Sequence, residues 1–257
     1  MVADCLGALT CLQPPGMLLT LRDLIAEHWE IEAPGGHVVD GDEKSKLNAL
    51  ACWTAITSVK LAIAGKAPAS DLATFMPDFL KLLDVEEVTV RNAALLMVYS
   101  AVHHMPQLVS GMMRDLIIRR LQDVSQLVLK KVVDLGPFKH TVDDALPLRK
   151  SALSIYATCL ENLPGSLDIA AFMPVLANAL DDAEDVQLQA HQIVITMCHH
   201  HPSYLVVAVD SFVKPLEKTI NKKTSQKTGT ELERANEWIK SGLRAMVALS
   251  RLDSVMK

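Results

Sequence analysis

Histidine runs at His103-His104 and His199-His200-His201, carboxylate pairs at Asp143-Asp144 and Asp181-Asp182, and five cysteines are the side chains of this sequence whose types could do chemistry. A metal site on one helix needs ligands at i and i+4, which share a face, whereas three consecutive histidines point in different directions. With Pro202 next, His199 to His201 reads as a helix terminus, and His103-His104 ahead of Met105-Pro106 fills the same place earlier in the chain. The Asp pairs precede predicted helices, where Asp caps the first turn by accepting backbone N–H bonds. Cys5, Cys11, Cys52, Cys159 and Cys198 lack CxxC spacing and sit in apolar stretches, the pattern of reduced, buried thiols. Met105, Met112, Met113 and Met197 stand at helical spacing and are assigned to core filling. There is no Ser-His-Asp order, glycine-rich phosphate loop or Cys-His pairing, so we expect no enzyme activity, no cofactor and no metal.

Binding chemistry concentrates instead between Leu129 and Asp144. Leu129 to Asp134 is β-branched and roughly alternating, Gly136-Pro137 is a turn dipeptide, and Phe138 to Val142 alternates again, which predicts a β-hairpin. The alternative for residues 125 to 131 is that the preceding helix runs on, because Leu121, Val124, Leu127, Val128 and Leu135 also make a helical stripe. An isolated two-stranded hairpin is marginal in water and wants a surface to lie on. Its open edge and an exposed Phe138 are natural contacts for another protein. Arg114 to Lys150 carries eight basic side chains against five acidic ones, locally +3 in a chain of net charge −5. That contrast argues against general nucleic-acid binding, which wants a basic domain, and fits a protein partner with an acidic surface.

The elements that position this insert repeat along the chain. Phe75-Met76-Pro77, Leu83-Asp84, Val90-Arg91 and His104-Met105-Pro106 recur as Phe172-Met173-Pro174, Leu180-Asp181, Leu188-Gln189 and His200-His201-Pro202, 96 to 98 residues on. Leu148-Arg149 running to Leu163-Pro164 repeats the second half of the pattern. Helix pairs with a period of roughly 40 to 47 residues are the mark of HEAT or armadillo solenoids. Predicted pairs are 15–30 with 46–65, 70–83 with 88–104, 106–124 with 147–162 across the insert, 167–180 with 186–200, and 203–219 with 231–252. The expected fold is all-α, a HEAT-repeat solenoid of about five helix pairs plus a leading half repeat, forming one domain over 1–257 with the hairpin inserted near 129–144.

Composition agrees: 50% of residues are hydrophobic but only 4% aromatic, suited to close helix packing. Charges or prolines interrupt the apolar runs, so no membrane span is expected, and the acidic opening Met1-Val2-Ala3-Asp4 is not a secretory signal. These features point to the cytoplasm and nucleus. The loops 32–42 and 221–230 are read as flexible excursions. Met1 to Leu12 resembles a second helix without its first, which predicts an upstream part, or a separate N-terminal HEAT-repeat fragment, against its apolar face.

VDLGPFKHTVDDALPLRKSAL resembles a segment of the cullin-associated, neddylation-dissociated proteins, also called TATA-binding-protein-interacting proteins, which reads close to GPFKHTVDDGLDIRKAA in that family. VADCLGALTCL, DFLKLLDVEEVTVRNAAL, LDIAAFMPVLANALDD, FVKPLEKTINKK and SGLRAMVAL follow the family's order along nearly the whole chain. The resemblance implies a factor that exchanges substrate receptors on cullin-RING ubiquitin ligases. Its partner would be an unneddylated cullin with its RING subunit, bound at the cullin N-terminal region in competition with the adaptor and substrate receptor. Carried over, the contact residues are Lys131, Val133, Leu135, Gly136, Pro137, Phe138, Lys139, His140, Thr141, Val142, Asp143 and Asp144, with the tip at Gly136 to Phe138. The family's many N-terminal repeats, which cover the cullin's modification lysine, have no counterpart here, so the resemblance does not extend to blocking neddylation. Ala145 stands where the family has Gly, and Pro147 is unusual there. The alternative is a general HEAT scaffold, in transport or transcription, with a non-cullin partner.

Overall fold

Helices form where the apolar spacing and capping residues call for them, and the computed structural model of the chain describes residues 1–29, 43–134, 139–223 and 228–252. The predicted loop at 32–42, the hairpin tip at 135–138 and residues 224–227 of the second predicted loop lie outside the described residues. Backbone contacts divide the chain into two compact units, Met1–Leu167 and Asp168–Lys257.

The first unit contains α1 (Val2–Leu12), α2 (Pro14–His28), α3 (Glu43–Ala64), α4 (Ala69–Leu80), α5 (Val88–His104), α6 (Ile118–Ser125) and α7 (Leu146–Asn162). Helices α1, α3, α5 and α7 form a row in which each packs on the next, while α2 joins α3 and α4, and α6 joins α7. That is the alternation of first and second helices expected of a HEAT or armadillo solenoid. Side-chain hydrogen bonds stitch the row: Ser100 Oγ donates to Lys60 O at 3.2 Å, Ser151 Oγ to Asn92 Oδ1 at 2.8 Å, and Asn162 Nδ2 to Val102 O at 3.2 Å. At Gly7 a Cβ would stand 2.7 Å from Leu61 Cβ, so only glycine lets α1 approach α3 this closely. Glu87 caps α5 by accepting from Val90 N at 2.7 Å. Pro77 lies inside α4 on its exposed side, and Met76 beside it is buried.

Three sequence expectations are corrected here. The helix predicted over 106–124 is broken into single 3-10 turns at Pro106–Leu108 and Ser110–Met112, a π turn at Met113–Ile117, and α6. Ser110-Gly111 is poor helix material, and the irregular winding still buries Val109, Met113 and Ile117. Of the five cysteines Cys5 is exposed and Cys11 half-buried. Lys44–Ala64 is long and apolar enough, at hydropathy 1.4, to cross a bilayer by length and composition alone. Lys46 and Lys60 sit toward its ends, and Cys52, Ala55, Ile56, Val59, Ala62 and Ile63 between and beyond them are buried. This helix packs on α1, α2 and α5.

The second unit holds α8 (Ile169–Ala179), α9 (Glu184–His200), α10 (Pro202–Ile220) and α11 (Gly229–Ser250). Its first helices α8 and α10 pack together, as do its second helices α9 and α11. Asp168 caps α8 by accepting from Ala171 N at 3.1 Å, and His201 N closes α9 on Met197 O at 2.8 Å, so the histidine run is a helix terminus. A buried network joins three helices: Gln187 Oε1 accepts from Thr219 Oγ1 at 3.1 Å and Trp238 Nε1 at 2.8 Å. One turn on, buried His191 meets Ser241 Oγ at 3.2 Å through Nδ1. Gly242 makes room, since a Cβ there would lie 3.0 Å from Thr219 Cγ2.

Candidate functional site

Between α6 and α7 the repeat gives way to strands β1 (Lys130–Asp134) and β2 (Lys139–Asp143). They pair antiparallel in the register Lys130 with Asp143, Lys131 with Val142, Val132 with Thr141, Val133 with His140, and Asp134 with Lys139. The continued-helix alternative fails at Gln126, where α6 is capped. Cross-strand partners share a face, so Val132, Thr141, Lys130, Asp134 and Lys139 lie on one side and Lys131, Val142, Val133 and His140 on the other.

Along its described length the hairpin is little covered by the rest of the chain. Val132 is 65% exposed and Val142 41%; in β1 only Val133, and in β2 only Asp143, is partly covered. The structure therefore places Lys131, Val133, Lys139, His140, Thr141, Val142, Asp143 and Asp144 together on this hairpin, while Leu135, Gly136, Pro137 and Phe138 lie outside the described residues.

The base is different. Arg149, in the first turn of α7 and with a side chain only 4% exposed, pairs with Asp143 through Nη1 and Oδ2 at 2.8 Å. The same Nη1 donates to Leu127 O at 2.8 Å. Asp143 Oδ1 accepts from Leu129 N at 3.0 Å and Ala145 N at 3.2 Å. Burial pushes the Asp143 carboxyl up, but the Leu129 N–H, the Arg149 guanidinium and the Ala145 N–H outweigh it and hold the pKa below the usual range. A second, exposed ion pair joins Lys131 Nζ to Asp144 Oδ2 at 2.7 Å. Ala145 occupies the N-cap of α7 with no side-chain cap, so Asp143 and Asp144 tie the hairpin together and are not the helix caps predicted. Asp181 likewise does not cap α9 but pairs with Lys218.

The basic stretch predicted from composition is partly taken up by intramolecular partners. Arg114 donates to Gly165 O at 2.7 Å, Arg120 grips both oxygens of Asp84, and Arg149 faces inward. What the hairpin presents are Lys130, Lys131, Lys139 and His140 around exposed valines. Among the described residues no three His, Cys, Asp or Glu side chains are grouped so that they could hold a metal ion. Burial pushes the thiols of Cys52 and Cys198 up to about 11 and that of Cys159 to about 12, away from the nucleophilic thiolate. Sequence reasoning takes Arg149 as a repeat mark and one positive charge and misses its role at the base of the hairpin. A cation in the first turn of a helix, where the macrodipole disfavours it, was the signal for a nearby carboxylate.

The family model described as TATA-binding protein interacting (TIP20) matches residues 101–257, which include the hairpin. The chain is similar to cullin-associated NEDD8-dissociated protein 2 of Rattus norvegicus, at 30% identity over 262 residues, covering all of this chain and 19% of the relative. It is also similar to cullin-associated NEDD8-dissociated protein 1 of Arabidopsis thaliana, at 33% identity over 207 residues, 79% of this chain and 17% of the relative. The chain thus spans about a fifth of the length of these relatives. Among solved structures, a computationally designed armadillo repeat protein for modular peptide recognition superposes with a TM-score of 0.53 at 13% identity, covering 96% of this chain and 98% of the other, which shows the solenoid fold alone.

Proposed function

Because the chain belongs to the TATA-binding-protein-interacting, cullin-associated NEDD8-dissociated family, we propose that it is a non-enzymatic cullin-binding protein that regulates the assembly of cullin-RING ubiquitin ligases. It binds the N-terminal region of an unneddylated cullin held with its RING subunit, and the hairpin occupies the surface the adaptor would take. The observation that carries this reading is a hairpin fixed at its base and uncovered along its strands, in the segment that resembles the family's GPFKHTVDD. Exposed valines flanked by lysines suit a surface with an apolar centre and an acidic rim.

The mechanism is mutual exclusion. Hairpin and adaptor compete for one surface, yet the helix stack and the substrate receptor share the cullin transiently, and such coupling weakens both ligands by the same factor. Each accelerates loss of the other, so exchange needs differential binding and no bond chemistry. The test is direct binding of a purified cullin N-terminal region to the intact chain and to Phe138→Ala with Lys139→Ala. We expect weaker binding with an unchanged melting temperature; equal affinity would remove the hairpin from the account.

A further inference from the structure

We propose that Arg149 is a positioning residue for partner binding: from its buried place on α7 it fixes the direction in which the hairpin leaves the helix stack, without touching the partner. The inference rests on the reading that the hairpin binds a partner.

Geometry puts Arg149 at the one point where both ends of the insert meet. Its Nη1 bonds Leu127 O on the entering strand side at 2.8 Å and Asp143 Oδ2 on the leaving side at 2.8 Å. Asp143 Oδ1 closes the same ring onto Leu129 N and Ala145 N, and Asp144 N donates to Leu129 O at 3.0 Å. Beyond this ring the described strands are exposed apart from partly covered Val133. A two-stranded hairpin has little stability of its own, so the direction it takes is set at the base.

Stability does not explain the choice of residues. A buried ion pair gains little net free energy, and apolar residues of similar volume at the same place are often equal or better. What the charged pair supplies is direction: a planar guanidinium meets carboxylate and carbonyl oxygens at fixed angles. A preset hairpin avoids the ordering cost that a swinging one meets on association. By this account Asp143, predicted as a contact residue, acts inward.

The experiment compares amide exchange and binding to a purified, unmodified cullin-RING complex. It uses the intact chain, Arg149→Met, Arg149→Lys and Asp143→Asn, which keeps an oxygen for Leu129 N and Ala145 N. It adds a shortened chain in which residues 132–141 are replaced by a Gly-Ser link, with and without Arg149→Met. We expect Arg149→Met to speed exchange at Lys130 to Asp143 by a larger factor than at α7 amides, and to weaken binding about tenfold. Arg149→Lys should recover part of that loss, and Asp143→Asn should fall between. In the shortened chain Arg149→Met should change affinity less than twofold. Unchanged hairpin exchange in Arg149→Met, or equal loss of binding in the intact and shortened chains, overturns the positioning role. Undiminished binding by the shortened chain overturns instead the proposed function beneath it.

Discussion

The base of the hairpin and the junction around Gln187 both bury polar side chains beside the first turn of a second helix, with opposite chemistry. At the hairpin a cation from α7 meets an anion of the insert. At the junction a neutral amide accepts from Thr219 and Trp238 and donates through Nε2 to Asp182 O at 2.8 Å. The amide joins helices that already bury Phe212, Leu216 and Ala245 against one another, so neutral hydrogen bonds suffice to set their register. The ion pair holds an element whose described strands bury almost no apolar surface, and there a charge-assisted, directional bond takes the place of packing. Where the repeat is regular, packing positions the helices; where it is interrupted, one buried ion pair positions the insert.

The contrast is most severely tested by removing one partner of the pair. Arg149→Met leaves the Asp143 carboxylate, 17% exposed, without its cation, and we expect a loss of about 4 kcal/mol in urea unfolding. Acid should strike the other region first. Burial lowers the His191 pKa from 6.5 to about 4, so its contribution is complete above pH 6.5 and is lost as pH falls toward 4, because the unfolded chain takes up a proton that the folded chain refuses. That amounts to about 3 kcal/mol, read as the difference between the intact chain and His191→Gln across this range. The Asp143 carboxyl, held below its ordinary 3.8, stays ionised in both states through most of that window, so the hairpin clamp loses its stability only at lower pH.

Gln187→Leu strands the Trp238 N–H, and we expect about 2 kcal/mol of destabilisation with hairpin exchange untouched. The smallest effect falls on the exposed member of the hairpin's own pairs. Lys131, 61% exposed, faces Asp144, and Lys131→Ala should change stability by less than about 0.5 kcal/mol. A loss as large as that of Arg149→Met would erase the distinction between the buried clamp and the surface pair.

Much of this was legible beforehand. The recurring Phe-Met-Pro and His-Met/His-Pro marks placed α4, α5, α8 and α9 to within a few residues, because apolar spacing and proline act locally. Gly136-Pro137 between alternating runs announced the hairpin, and its strands begin within a residue of the predicted limits. The broken stretch at 106–125 was not legible, since tertiary burial of Val109, Met113 and Ile117 decided the winding. Nor was the division of labour within Asp143-Asp144: two identical neighbours point to different cations, Arg149 and Lys131, and that choice is made by the fold around them.

The central claim is that the hairpin and the adaptor exclude each other from one cullin surface. It is tested most directly by capturing a purified, unmodified cullin-RING complex on this chain while titrating the adaptor, with the intact chain and with the chain shortened over 132–141. The account predicts that adaptor displaces the intact chain in proportion to its concentration, whereas the shortened chain and adaptor are recovered together on one cullin. Recovery of adaptor alongside the intact chain, at full occupancy of both, would contradict it.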